Sequence, residues 1–464
     1  MRLLLTDGLF PWHRLPDSPD LIALRFLLDQ LQDEELLAAL RSHRGHGRND
    51  YPVHVLWRVH LTRYFLRHAH MEQCLAELGR NPALRRVVGI EEGQGVPLPW
   101  NMSRFLEVLG QPQHLKLMQR MFQQLTSRLA WAVPDLGQHV AGDSAALSAR
   151  PDANAPEHDP NAAGVNTAGP LPQPAGGKKE YKDDAGKVTA VLEWFGYKFH
   201  LLVDVKHEVV LAWHITSAAG EGASDASVLP LLLEKARAAL PEGRIQTLAY
   251  DKAADDQKVH ELLNEEKIKP LIEVRAMWKE EPERKLPNHD AGSNVVHDEA
   301  GTIYCYDTVS AIPVKRKMSF IGYEKSRGTL KYRCPARHED FACKSDKKCN
   351  GCSSYGKTVR VRCEMDLRRF PPIPRATMEF ERRYNGRTSV ERVNGRVKVY
   401  WGADDGNVTG AGRFHAHLAT IMLVHAAMAN WLAIQPRYEG KSLSPTRLSP
   451  IARKLAQGAA RPSL

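Results

Sequence analysis

Three acidic residues, Asp143, Asp251 and Glu391, stand in settings that suit a metal-dependent cut in a phosphodiester backbone. Such a cut needs an activated attacking oxygen, a stabilised leaving oxygen and compensation for charge on the phosphate. Two divalent ions about 4 Å apart supply all three, and hard ions such as Mg²⁺ or Mn²⁺ prefer carboxylate oxygens. The acids must then converge from different elements. Asp143 lies in His139-Val140-Ala141-Gly142-Asp143-Ser144, where Gly142 permits a close approach, and Asp251 closes Leu248-Ala249-Tyr250-Asp251. Each acid also has a plainer reading: Asp143 as a turn residue, Asp251 as a strand-end cap, Glu391 as a surface helix residue.

The surroundings of Glu391 carry more information. Tyr384, Arg387, Glu391 and Lys398 are separated by 3, 4 and 7 residues, which puts all four on one face of a helix. A carboxylate flanked by two cations and a phenol suits a metal beside phosphates, because the cations hold groups that a carboxylate alone repels. The stretch also includes Arg382, Arg383, Arg392 and Arg396. The plainer alternative is a solvated helix with incidental pairs such as Arg387–Glu391.

The elements that must position these residues read as follows. Residues 1–130 are expected to form a helical N-terminal, DNA-binding domain. Apolar residues recur there at helical spacing, and residues 41–90 hold nine arginines against three acids. Residues 131–275 read as a first catalytic part. Strands are expected at 138–148, 195–205, 208–216, 245–250 and 270–274, with helices at 225–240 and 256–267, and a flexible insertion at 150–180. This β-β-β-α-β-α-β order is that of a mixed α/β, ribonuclease-H-like fold, in which the first and fourth strands are neighbours. Residues 276–375 form a cysteine-rich insertion, 376–435 carry closing helices, and 436–464 read as a basic, disordered tail.

The net charge of +10 favours a polyanionic partner. Seven cysteines in 464 residues do not make a disulfide scaffold, and six fall between Cys305 and Cys363, which suits metal ligation in a reducing compartment. Cys334-x8-Cys343-x5-Cys349-x2-Cys352 is a candidate Zn²⁺ set, with Cys305, Cys363 or His338 as replacements and reduced, metal-free thiols as the alternative. A zinc would fold an insert that reads as poor in apolar residues and would leave Lys344, Lys347 and Lys348 towards phosphates. Cys74, amid Met71, Leu75 and Leu78, reads as a packed helix residue. The apolar run 418–434 is broken by His425 and Asn430 and reads as a core helix rather than a membrane span. A cytoplasmic protein is expected.

Tyr384-x2-Arg387-x3-Glu391-x6-Lys398, within Arg387-Thr388-Ser389-Val390-Glu391-Arg392-Val393-Asn394-Gly395-Arg396-Val397-Lys398, resembles the tyrosine–arginine–glutamate–lysine signature of bacterial insertion-sequence transposases of the DDE class. Gly142-Asp143-Ser144, Gly196-Tyr197-Lys198-Phe199-His200 and Asp251-x3-Asp255 resemble the same family, as does the N-terminal stretch from Tyr51-Pro52 through Asn81-Pro82 to Ser103-Arg104-Phe105. The resemblance spans about residues 20–435. It implies that Asp143, Asp251 and Glu391 hold catalytic Mg²⁺ or Mn²⁺, that Arg387 and Lys398 contact the DNA backbone, and that Tyr384 sits near the transposon end. The implied partners are double-stranded DNA, as terminal inverted repeats and target, and a second copy of the chain, so that two ends pair in at least a dimer. Relatives have Gly-Tyr where this chain has Ala253-Ala254, which weakens a role for Asp255. Two alternatives stand beside this reading: a nuclease without strand transfer, and a DNA-binding relative that has lost catalysis.

Overall fold

The computed structural model describes residues 18–45, 50–150, 171–182, 187–220, 222–279, 281–286, 293–405, 408–434 and 440–443. The expected insertion at 150–180 therefore lies largely outside the described residues, as does all of the expected tail except 440–443.

Helices open the chain: α1 (Pro19–Gln30), α2 (Glu34–Arg44), α3 (Val53–Phe65), α4 (Met71–Arg80), α5 (Pro82–Val88), α6 (Pro99–Leu109) and α7 (Pro112–Ala132). Prolines at the first turns of α1, α5, α6 and α7 fix φ where no intrahelical N–H is lost. Several arginines of this region are spent on the fold itself. Buried Arg63 donates to the Ala69 carbonyl at 2.9 Å, and Arg44 donates to that of Tyr51 at 2.5 Å. The local arginine excess is therefore in part structural.

The central sheet contains β1 (His139–Ser148), β2 (Ala175–Lys182), β3 (Val188–Asp204), β4 (Val210–Ser217), β5 (Thr247–Tyr250) and β6 (Lys269–Ile272), with α8 (Asp225–Ala239) and α9 (Gln257–Glu265) between β4, β5 and β6. β3 pairs antiparallel with β1 and β4, while β1–β5 and β5–β6 are parallel. The order β4-β3-β1-β5-β6 is the mixed sheet of the ribonuclease-H-like fold. β2 is a strand that the sequence reading assigned to a flexible insertion. Its Ala-Gly-Gly-Lys-Lys run has no apolar alternation, and pairing with the long N-terminal half of β3 supplies its order instead.

Residues 283–362 build two small antiparallel sheets. One holds β7 (Glu283–Lys285), β8 (Val295–Asp298), β9 (Ile303–Asp307) and β10 (Val314–Lys317). The other holds β11 (Ser319–Glu324), β12 (Thr329–Arg333) and β13 (Thr358–Arg362), with the short helices α10 (Pro335–Glu339) and α11 (Asp346–Asn350) before β13. The expectation of a stretch too poor in apolar residues to pack is corrected here. Leu286, Val295, Ile303, Met318, Leu330, Val361 and Phe370 form a buried core of their own. Spread singly over short strands, they leave no periodic signal.

The closing helices are α12 (Met378–Tyr384), α13 (Thr388–Gly395) and α14 (Ala411–Ala433). α14 is the only described helix long and apolar enough to cross a membrane, but it is buried in the molecule, against α7, α6, α3, α1 and β4. A Cβ on Gly110 would lie 2.3 Å from the Gly412 carbonyl carbon, so this helix can begin only where glycine faces glycine. Buried histidines then tie it in place. The Tyr64 hydroxyl donates to His417 Nδ1 at 2.7 Å, and the Val210 N–H donates to His425 Nε2 at 3.1 Å. Burial pushes both imidazoles down to about 3, so they act as neutral acceptors. One continuous core thus joins the N-terminal helices to the sheet.

The exit of the cysteine-bearing segment is bolted to the sheet by a buried ion pair. Asp255, just beyond β5, accepts from Arg368 Nε at 2.9 Å and Nη2 at 2.6 Å, and from the Arg275 N–H at 2.6 Å. Removing one partner strands the other charge in the interior, which costs about 3–5 kcal/mol. Arg368→Met should therefore lower the free energy of unfolding by about that amount in urea denaturation. An unchanged midpoint would show that the pair does not hold the two parts together.

Candidate active site

Asp143 and Asp251 reach the same end of the sheet because β1 and β5 run side by side in parallel. Ala141 pairs with Ala249, and two residues further along each strand come Asp143 and Asp251. The approach requires Gly142: a Cβ there would stand 2.2 Å from Tyr250 Cε2 and 3.0 Å from Leu202 Cδ2. Asp251 caps the turn that follows β5, accepting the Ala253 N–H at 2.8 Å. Burial, and then the charge of Asp251, push the Asp143 carboxyl up to about 6, against the pull of the Ser144 backbone and Arg387.

α12 and α13 cross this end of the sheet, with α13 against β1 and β3. Asn394 Nδ2 lies 3.4 Å from Asp143 Oδ2, a long contact that fixes which face of α13 looks down on the acids. Glu391 is one turn earlier on that face. It is half-exposed and pairs with Arg387 Nη2 at 2.7 Å. Burial alone would lower the Arg387 guanidinium, but Glu391, Tyr384, Asp143 and Asp251 together hold it above its ordinary value. Arg387 thus sits among all three candidate acids. Tyr384 stacks on Phe380 with centroids 5.5 Å apart, and burial beside Glu273 pushes its phenol up to about 12.

The expected single helix from Tyr384 to Lys398 is corrected in detail. A tight 3-10 turn spans Asn385–Arg387, and a π-turn spans Arg396–Tyr400, so the residues follow one another in helical turns of changing pitch. Gly386 allows the first break to press on Val205, where a Cβ would come within 2.7 Å. Lys398, on the π-turn, pairs with Asp404 at 2.9 Å. Arg392 pairs with buried Glu208 at 2.6 Å, and Arg396 pairs with the same carboxylate. Much of the positive charge on this segment therefore anchors it to the β3–β4 turn.

Two further groups escaped the sequence reading. Asn394 was legible in principle, standing three residues after Glu391. Asp225, at the start of α8, is buried beside Asp143. Although burial opposes it, the His200, Lys198 and Ser144 contacts hold its carboxyl down to about 2. His200 Nδ1 lies 3.1 Å from Asp225 Oδ1, and Lys198 Nζ lies 3.3 Å from the same oxygen. Asp255 is committed to Arg368, the Arg275 N–H and His260.

Among the described residues, no group of three or more His, Cys, Asp or Glu side chains is already arranged to hold a metal ion. Asp143 and Asp251 nevertheless fit a hard divalent cation. They are hard oxygen donors at one end of the sheet, the burial of Asp143 beside the charge of Asp251 carries a cost that an ion would relieve, and Glu391 is half-exposed one helical turn from a residue that touches Asp143.

The cysteines fall elsewhere. Cys334, Cys343 and Cys349 line one cavity in the 283–362 segment, together with Cys305, while Cys352 is exposed and outside it. Burial and the three neighbouring thiols push Cys305 up to about 12. Cys74 and Cys363 are buried.

Residues 155–427, more than half of the chain, match the family described as the transposase DDE domain. The chain belongs to the DDE transposase family. Residues 13–107 of this transposase match a second family, described as a transposase domain (DUF772). Asp251 and Glu391 fall inside the first match, and Asp143 lies twelve residues before it. DDE transposases use divalent metal ions. Among solved structures, the transposase is similar to a piggyBac transposase synaptic complex with hairpin DNA, at 10% identity and a TM-score of 0.34 over 97% of this chain and 83% of that one. A likeness of that size adds nothing to the family assignment. No curated protein matches the chain.

The raised Asp143 carboxyl has a consequence for stability. The folded chain holds this proton up to about pH 6, whereas the unfolded chain releases it near 3.8. The group's contribution is therefore full below about pH 3.8 and is lost as pH rises through about 6. Without divalent ions at pH 7.5, Asp143→Asn should unfold at a higher temperature than the wild type, by the equivalent of about 1–3 kcal/mol. Added Mg²⁺ should stabilise the wild type and leave the variant unmoved. A variant less stable than the wild type in chelator would contradict the repulsion.

Proposed function

We propose that the chain binds the terminal inverted repeats of an insertion sequence, cuts DNA at their ends and joins the freed 3′-hydroxyl to target DNA, with Asp143, Asp251 and Glu391 holding Mg²⁺ or Mn²⁺. The observation that carries this reading is the pairing of Asp143 and Asp251 on adjacent parallel strands, beneath a helix that presents Glu391 and Arg387, in a chain of the DDE transposase family.

Bound divalent ions supply activation of the attacking oxygen and stabilisation of the leaving one. The protein's own part is positional. Asp143 and Asp251 are fixed by the β1–β5 register and change little on binding. Glu391 would hold the ion together with the two aspartates, and the Arg387 guanidinium that now pairs with it has the planar fork suited to the scissile phosphate. Lys398 exchanges Asp404 for a neighbouring phosphate, and Tyr384, beside Arg387, packs near the transposon end. Asn394 keeps the Asp143 carboxylate aimed at the ion. The helices of residues 1–130 bind the repeats, and two chains pair two ends in at least a dimer. The protein works in the cytoplasm, on DNA.

Linear DNA carrying the inverted repeats that flank the reading frame tests this directly. With Mg²⁺, the wild type should release the ends and yield joined product with target plasmid. Asp143→Asn, Asp251→Asn and Glu391→Gln should each lower cleavage by about a thousandfold or more, equivalent to a loss of several kcal/mol of charge stabilisation. Cleavage surviving all three changes would remove the acid assignment. Cleavage without joined product would favour a nuclease, and end binding without cleavage in Mg²⁺ or Mn²⁺ would favour a binding-only relative.

A further inference from the structure

The 283–362 segment encloses a cavity of about 20 Å³, lined by Cys305, Cys334, Cys343 and Cys349. A space of that size accommodates about one water-sized guest. The four thiols come from different places: β9, the residue that opens α10, the turn before α11, and α11 itself. All are free thiols.

The groups around the sulfurs are those a metal thiolate site needs. Asn350 Nδ2 donates to Cys334 Sγ at 3.4 Å, and Asn294 Nδ2 donates to Cys349 Sγ at 3.5 Å. The Ser345 backbone N–H donates to the Cys343 sulfur. Three of the four sulfurs thus receive an N–H, which favours the thiolate and orients it, as outer partners of metal ligands do. Lys357 and Arg316 also line the cavity, and Lys357 Nζ is held by Asn294 Oδ1 at 3.2 Å. Four thiolates around one divalent ion leave two negative charges, which Lys357 and Arg316 face; of the two carboxylates that also line the cavity, Asp346 is paired with Arg337 and Asp307 accepts from the Ser310 and Ser345 hydroxyls. An all-sulfur, four-ligand set with no open position is the closed, structural kind of site that zinc takes, with Zn–S distances of about 2.3 Å.

We infer that Cys305, Cys334, Cys343 and Cys349 bind one zinc ion, which pins the α10–α11 turn to β9, and that Cys352 is not a ligand despite its Cys-x2-Cys spacing from Cys349. Among the described residues the sulfurs do not yet meet around one point, so they close by a small movement when the ion binds. The segment has its own apolar core, so the metal fixes one edge of it rather than folding the whole. This site is independent of the catalytic reading.

The test uses the full-length chain, purified without chelator, with metal content measured by mass spectrometry. The wild type and Cys352→Ser should each carry one zinc per chain, whereas Cys305→Ser should carry well under half. Two measurements on the wild type guard against a variant that fails to fold. Co²⁺ titrated into chelator-stripped protein should give the intense visible and near-ultraviolet bands of a tetrahedral thiolate site. Iodoacetamide should label Cys352 at once, and label Cys305, Cys334, Cys343 and Cys349 only after chelator is added. A wild type without zinc and without the cobalt bands, or zinc lost from Cys352→Ser but kept in Cys305→Ser, would overturn the assignment.

Discussion

The organisation of this protein depends on a costly burial: the Asp143 carboxyl is sunk at one end of a sheet, with Asp251 on the neighbouring strand. The β1–β5 register brings Asp143 and Asp251 to the same end of the sheet, and burial, helped by the charge of Asp251, pushes the Asp143 carboxyl up to about 6. A site of that kind is poorly satisfied by protein alone. On the proposed reading a divalent cation completes it, and the cost of assembling it is met by packing elsewhere in the fold.

The surrounding structure reads as the means of keeping that arrangement in place. Glu208 at the β3–β4 turn anchors α13 through Arg392 and Arg396, so that Glu391 and Asn394 stay over the acids. Asp255 and Arg368 clamp the 283–362 segment to the turn that presents Asp251. α14 fills the core between the sheet and the N-terminal helices, with neutral histidines accepting hydrogen bonds where charged ones would be costly. Arg387 and Lys398 are each held by a carboxylate, Glu391 and Asp404, that a phosphate could replace. Guanidinium and ammonium groups parked in this way are ready for a polyanion without being left unpaired in its absence.

What the sequence disclosed, and what it hid, follows from the range of the interactions. The helical spacing of Arg387 and Glu391 is local, and their pair survives in the structure even though a 3-10 turn and a π-turn bend the run. The adjacency of the strands bearing Asp143 and Asp251 was legible from element order alone, because a sheet of that order has few alternatives. Strand β2 was not, since nothing within Gly176-Gly177-Lys178-Lys179 announces the partner that orders it. The apolar core of residues 283–370 was hidden for the same reason. Among the cysteines, short spacing pointed to Cys352, whereas antiparallel pairing carries Cys305 into the cavity from a distant strand. Asp225 stood out only as the start of an expected helix, because its proximity to Asp143 is a product of tertiary packing.

The central claim is that Asp143 and Asp251 share a metal ion that Glu391 completes. Anomalous diffraction from crystals soaked in Mn²⁺ measures it most directly. The account predicts a manganese peak within coordination distance of both aspartate carboxylates, with Glu391 turned from Arg387 towards it. Manganese bound elsewhere, with the Asp143 and Asp251 carboxylates left uncoordinated and the Arg387–Glu391 pair intact, would contradict it.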